Sequence, residues 1–197
     1  EAINSVLFEG GHDLSIETNW TSLQPSRSPE YLLGAGDVLR VSRLIEVRGS
    51  SGVLEQQVLT SQSAVDSGGV VSILQLGEIE VAGLSLSDVR DRILQETTSS
   101  GSVLDAVVEI DSFQSKKAVL MTERGTTALP ITDVPMTFAD VLTDIGLRFD
   151  NGRDYLISLT RNGNEFKTKA SSLLGDAPNV PTYVLDKDKI SIEEILP

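Results

Sequence analysis

The spacing of hydrophobic positions changes along the chain, and each change marks an element. From Asp37, "DVLRVSRLIEV" is rich in β-branched residues and reads as a strand ended by "GSSG". "VLEQQVLT" is a second strand, "DSGG" a turn, and "VVSILQLGEIEV" a further strand run with Gly77 inside it. Short β-rich runs between Gly and Ser clusters predict hairpins. The period then shifts. In "GLSLSDVRDRILQETT", Leu86, Val89 and Ile93 fall at i, i+3 and i+7, with Leu94 adjoining. That spacing predicts a helix, and Ser85 with Asp88 has capping-box spacing at its start. After "TSSGS", the run "VLDAVVEIDSF" returns to strand character.

A second unit begins near Lys116. "KKAVLMT" reads as a strand, "ERGTT" as a turn and "ALPI" as a short extended piece. "PMTFADVLTDIG" is the clearest helix: Phe138, Val141, Leu142 and Ile145 form one face, Thr137 is a good N-cap and Gly146 a stop. "DYLISLTRNGNEFKTKA" carries Asn162-Gly163 between two strand runs, a hairpin signal. "SSLLGD" fits one short helical turn, and "TYVL" and "DKDKISIEE" read as closing strands. Strand, strand, helix, strand, strand, short helix, strand suits a sheet with one helix laid across it, close to a β-grasp. The first unit is similar in kind. The fold class expected is α+β, in two small mixed domains, 30–115 and 116–197, after an N-terminal arm and linker over 1–29. That arm, with breakers Pro25 and Pro29, holds the lone His12 and the lone Trp20.

Composition narrows the class of partner. Of 197 residues, 40% are hydrophobic but only 5% aromatic, so the cores must rest on Val, Leu and Ile. Lys and Arg number 16 against 29 Asp and Glu, a formal charge of −13. An acidic surface repels phosphate backbones and no basic stripe is present, so nucleic acid is not an expected partner. No apolar run approaches the length of a spanning helix, and no basic and apolar leader opens the chain. A chain starting at Glu1 reads as a mature or trimmed form.

The search for catalytic chemistry finds little. One histidine and no cysteine remove Cys-His catalysis, thiolate metal sites and disulfides, and nearly remove Ser-His-Asp catalysis. His12 has no metal-site partners nearby in sequence. "DKDK" at 186–189 and "EE" at 193–194 lack the glycine and the distant glutamate of a calcium loop. A carboxylate pair converging only in space stays open. No cofactor and no metal are expected, and the chain reads as non-enzymatic.

One motif invites a ligand reading. "YLLGAGDVLRV", Tyr31–Val41, sets two glycines beside an aspartate. It is not a phosphate loop, because no Gly-Lys-Ser/Thr follows, and Leu39 occupies the third glycine position of G-x-G-x-x-G. The better expectation is a tight turn that Gly34 and Gly36 allow and that Asp37 fixes by accepting nearby backbone N–H groups. "VLDKDKISI" repeats the layout, with Asp188 before Ile190 and Ile192.

Three segments in order resemble one family. Tyr31, Gly34, Gly36 and Asp37 match its first element; Leu76, Gly77, Ile79, Val81, Gly83 and Leu84 its second; Val108 and Ile110 its closing strand. Together they resemble the polysaccharide export domain of outer-membrane polysaccharide export proteins, which serve capsule and exopolysaccharide systems. In that family soluble-ligand-binding β-grasp repeats follow, and residues 116–194 look like one divergent repeat that keeps Glu123, Gly125, Asp188, Ile190 and Ile192. Many members have a lipidated N-terminal cysteine and a C-terminal amphipathic pore helix; this chain has no cysteine and ends at "EEILP". The resemblance implies a periplasmic, outer-membrane-associated ring segment. The implied partners are further copies of the chain, the polysaccharide, and an inner-membrane polysaccharide co-polymerase or kinase. Two other readings stay open: a β-grasp module that binds glycan or protein without forming a ring, and a carbohydrate-active enzyme.

Overall fold

The computed structural model describes residues 20–23, 28–98, 103–149, 153–174 and 182–195. The fold is α+β, as the changes of period predict. In the first unit β1 (Val38–Arg48) pairs antiparallel with β2 (Leu54–Ala64) on one side and β5 (Val103–Ser112) on the other. β3 (Val70–Ile73) and β4 (Gly77–Glu80) form a separate small hairpin, and α1 (Leu86–Thr98) lies on β5. The core draws Leu39 and Val41 from β1, Val71 and Ile73 from β3, Val89 and Ile93 from α1, and Ala106 from β5. Val89 and Ile93 are fully buried, the face their spacing selects. The Ser85 hydroxyl accepts from the Asp88 N–H at 3.2 Å, and the Ser85 N–H donates to the Asp88 carboxylate at 3.2 Å, a completed capping box.

The second unit is one sheet of five strands. β6 (Lys117–Thr122) and β7 (Gly125–Pro130) form a hairpin, as do β8 (Asp154–Arg161) and β9 (Asn164–Lys169). β10 (Lys189–Ile195) inserts between the hairpins, parallel to β6 and antiparallel to β8. The order β7-β6-β10-β8-β9, with the last strand central and parallel to the first, is the arrangement of a β-grasp sheet. α2 (Phe138–Asp144) buries Phe138, Val141 and Leu142, and the short α3 (Ala170–Leu174) buries Ala170. Thr137 caps α2 with Asp140 as its box partner. Asn162 and Gly163 both take positive φ at the β8–β9 tip, as that dipeptide predicts.

Four local expectations are corrected. "VVSILQLGEIEV" is not one strand: it turns at 74–76, with Gln75 at φ +65°, and becomes the hairpin β3–β4. "TYVL" is not a strand either; only Tyr183 bridges, to Thr137. The β6–β7 turn is confined to Glu123 and Arg124, because the ladder already closes at Thr122–Gly125. Ala128, Leu129 and Pro130 of "ALPI" are accordingly part of a six-residue strand, which ends before Ile131. Finally, Trp20 does not lie in an extended arm. It sits in a 3-10 turn, Trp20–Leu23, and belongs to the second unit's core, its ring edge-on to Phe138 at 5.1 Å. His12 lies outside the described residues.

Candidate functional site

The residues of the motif Tyr31–Asp37 converge on one carboxylate. Asp37 is fully buried at the start of β1. Its Oδ2 accepts the Gly34 N–H at 3.0 Å and the Ser115 hydroxyl at 2.7 Å. Its Oδ1 accepts the N–H groups of Gln114 at 2.8 Å and Ser115 at 2.9 Å. The Tyr31 hydroxyl lies 2.9 Å from both oxygens. Asp37 therefore does more than fix its own turn. It ties the turn to residues 114–115, at the crossing from β5 into β6.

Burial alone would raise the Asp37 pKa. The donors from Gln114, Ser115 and Gly34 outweigh it and hold the carboxyl below its ordinary value. Burial, with Asp37 beside it, pushes the Tyr31 hydroxyl above its usual range. Tyr31 also packs edge-on to Phe113 at 5.1 Å, with the Lys116 ammonium 5.6 Å from its ring centre. A carboxylate enclosed by five donor groups and closed to solvent has no free lone pair to offer a substrate. Its chemistry is that of an anchor.

The two glycines serve different needs. Gly36 adopts φ +96°, a conformation L side chains rarely take. Gly34 has no such φ. Its constraint is close approach: a Cβ there would lie 2.7 Å from Ser115 Cβ and 2.8 Å from Ser115 Oγ. Gly34→Ala is therefore expected to push Ser115 off Asp37 and to cost about 1–3 kcal/mol, read by urea unfolding. A Gly34→Ala chain as stable as the parent would contradict that packing.

The second family element joins the first through the backbone. Leu33 N–H donates to Leu84 O at 2.9 Å, and Gly83 N–H donates to Leu33 O at 2.8 Å. Gly77 opens β4, and Ile79 and Val81 enter the same core as Leu33 and Leu39. The closing strand completes the cluster, with Val108 opposite Val41 and Ile110 opposite Leu39. All three elements thus meet in one half of the first unit.

Asp188 is apart from them, in the second unit, but its local geometry matches Asp37. Each aspartate N–H donates to the carbonyl three residues back, Gly34 or Leu185, at 3.2 Å. Each carboxylate accepts that same residue's N–H, at 3.0 Å for Asp37 and 2.8 Å for Asp188. Each follows a residue of positive φ, Gly36 or Lys187. The preceding N–H and the aspartate carbonyl then bind a neighbouring segment: Val65 in the first unit, Lys117 and Val119 in the second. What differs is the neutralising group. Asp188 takes a two-point contact from Arg161, Nε at 2.8 Å and Nη2 at 2.6 Å, where Asp37 takes only neutral donors.

The other acids considered for calcium are engaged. Asp186 accepts the Lys117 N–H at 2.9 Å, and Glu194 pairs with Arg153 at 3.5 Å. Among the described residues, no group of three or more potential ligands converges to hold a metal. No helix among them is long and apolar enough to cross a membrane. Sequence reasoning missed Ser115, which supplies two of the donors to Asp37. A lone serine between strands carries no signal of its own.

Beside this anchor, where the two units meet, lies a cleft of about 420 Å³. Ser28, Glu30, Ser85, Ser87 and Asp133 give it hydroxyls and carboxylates, and Pro29, Leu86 and Pro135 give it apolar walls.

Residues 25–111 match the family model described as polysaccharide biosynthesis/export protein. The matched span holds Tyr31, Asp37, the segment Leu76–Leu84 and the closing strand residues Val108 and Ile110. The family is one of export components and supports a role in polysaccharide export, with a place in the cell envelope. Residues 25–111 are thus similar to the polysaccharide biosynthesis/export protein family, as the three sequence elements imply.

Proposed function

We propose that this protein is a non-enzymatic, periplasmic component of a capsule or exopolysaccharide export channel. It assembles head to tail with copies of itself into an outer-membrane-associated ring, and polysaccharide passes through the lumen. The family match over 25–111 carries this reading. The anchor supports it, because the motif residues are spent on holding one conformation and leave no reactive group exposed. A passage needs a hydrophilic wall and self-complementary surfaces, not an acid, a base or a metal. Lumen-facing acids from a chain of charge −13 would keep an acidic glycan from adhering. The second unit is read as a soluble-ligand-binding β-grasp repeat. An inner-membrane co-polymerase or kinase is the proposed partner at the other end of the path.

Deleting the coding gene in its host tests the role. Surface polysaccharide is expected to be lost while intracellular synthesis persists, and the gene supplied in trans restores it. Unchanged surface polysaccharide in the deletion strain would overturn the export role.

The junction cleft favours one second reading, a glycan-binding module that acts without a ring. Its hydroxyls, carboxylates and apolar walls are the groups that hold a sugar. A stoichiometric oligosaccharide complex of a strictly monomeric protein would decide for it.

A further inference from the structure

We infer that the cleft between the two units is a subsite for uncharged sugar residues, one that turns uronic acids away. The inference rests on the reading that this chain handles polysaccharide, and adds which sugars it holds and where. At about 420 Å³ the cleft lies within the roughly 300–1,000 Å³ of small-molecule sites. A second hollow of about 180 Å³ shares Pro29, Glu30, Tyr31 and Pro135 with it. The two form one trough, so a ligand can continue past the cleft, as a segment of a polymer does.

The lining matches a pyranose ring. Such a ring is polar at its rim, where hydroxyls donate and accept, and apolar over its C–H faces. Ser85 is engaged in the capping box of α1, but Ser28 and Ser87 are exposed and present hydroxyls that do both. The Glu30 and Asp133 carboxylates are exposed, and among the described residues no hydrogen bond or ion pair engages either. They are acceptors only, suited to sugar hydroxyls. Pro29, Leu86 and Pro135 offer the C–H faces an apolar wall.

Charge sets the selectivity. The described residues that line the cleft include no Lys or Arg. A uronate carboxylate placed there would face Glu30 and Asp133 with no cation to offset them. Lys116 lines only the smaller hollow, where Asp186 also lines the wall. The occupant also spans the joint. Leu86 and Ser87 belong to the first unit, Asp133 and Pro135 to the second, and Tyr31 of the Asp37 anchor lies in the same lining. A sugar in contact with both walls resists their separation.

The test is saturation-transfer NMR on the full-length gene product, with maltotriose and triacetylchitotriose as neutral probes and trigalacturonate as the acidic one. A neutral probe is expected to bind, and trigalacturonate about tenfold or more weakly. Ser87→Trp, at an exposed position, fills the cleft and should weaken the neutral probe about tenfold at an unchanged unfolding midpoint. Asp133→Trp, also at an exposed position, blocks the opposite wall and serves if Ser87→Trp does not fold. Glu30→Gln/Asp133→Asn keeps acceptor oxygens without charge and should bring trigalacturonate close to the neutral probes. No binding of either neutral probe, equal binding of trigalacturonate by the parent, or a folded blocked variant that binds like the parent overturns the inference. Trilysine bound in place of the sugars, and lost in Ser87→Trp, would overturn it too, since the same acids suit a basic peptide. Each of these results leaves the export role standing, because gene deletion tests that role without reference to the cleft.

Discussion

Asp37→Ala is expected to lower the stability of the first unit by about 3–5 kcal/mol, and its unfolding temperature by roughly 15–30 °C. The loss follows from what remains behind. The N–H groups of Gly34, Gln114 and Ser115 and the hydroxyls of Tyr31 and Ser115 all point at Asp37. Without it they are buried donors with no acceptor, at about 1–3 kcal/mol each less what entering water restores. Asp37→Asn should retain part of the stability, since an amide oxygen still accepts while its NH₂ faces donors. An unchanged unfolding midpoint in Asp37→Ala would contradict the anchor role. The pH dependence has a definite sign. The folded pKa of Asp37 lies below its unfolded value, so its contribution is complete above about pH 4 and is lost as pH falls through the folded pKa. Acid should loosen the 31–37 and 113–115 junction in the parent, and Asp37→Ala should flatten that part of the profile.

Arg161→Met is expected to cost the second unit about 3–5 kcal/mol, because it leaves a buried carboxylate unpaired. Asp188 is 1% exposed, and Arg161 supplies both of its charged contacts while also binding the Tyr183 carbonyl at 2.8 Å. Arg161→Lys should rescue little, since an ammonium cannot reproduce the planar two-point contact. Hydrogen exchange separates the two predictions. Asp37→Ala should expose amides of β1 and β5, and Arg161→Met those of β8 and β10. A variant that loosened only the opposite unit would refute the assignment of that anchor.

Much of this architecture is legible in the sequence, for physical reasons. Helices α1 and α2 are readable because their apolar spacing and their capping residues agree: Ser85 with Asp88, Thr137 with Asp140. The β8–β9 turn is readable because Asn162-Gly163 suits positive φ. The hairpin β3–β4 is not, because Leu74 and Leu76 continue an apolar run straight through a turn. That turn relies on Gln75 at positive φ, where glycine would be the signal. Arg43 is equally silent. It lies on the core face of β1 between Val41 and Ile45 and is buried, its guanidinium held by the Leu74 carbonyl. Trp20 reads as part of an N-terminal arm because its partner, Phe138, is distant in sequence.

The anchor is half legible. The turn that Gly34, Gly36 and Asp37 make can be read locally, and so can its echo at Asp188. The distant donors at 114–115 cannot, since backbone N–H groups are the same in every sequence. The reason for Gly34 is hidden with them: only the fold brings Ser115 against it. What the sequence offers as a glycine-rich ligand loop is therefore a joint, and its candidate ligand is the chain itself.

Ring assembly is the claim on which the functional account turns. Native mass measurement of the full-length gene product, with electron microscopy of the same sample, tests it most directly. The expected result is one closed oligomer, seen end-on as rings with a central passage. A single-chain mass at every concentration, with no rings in the images, would contradict it.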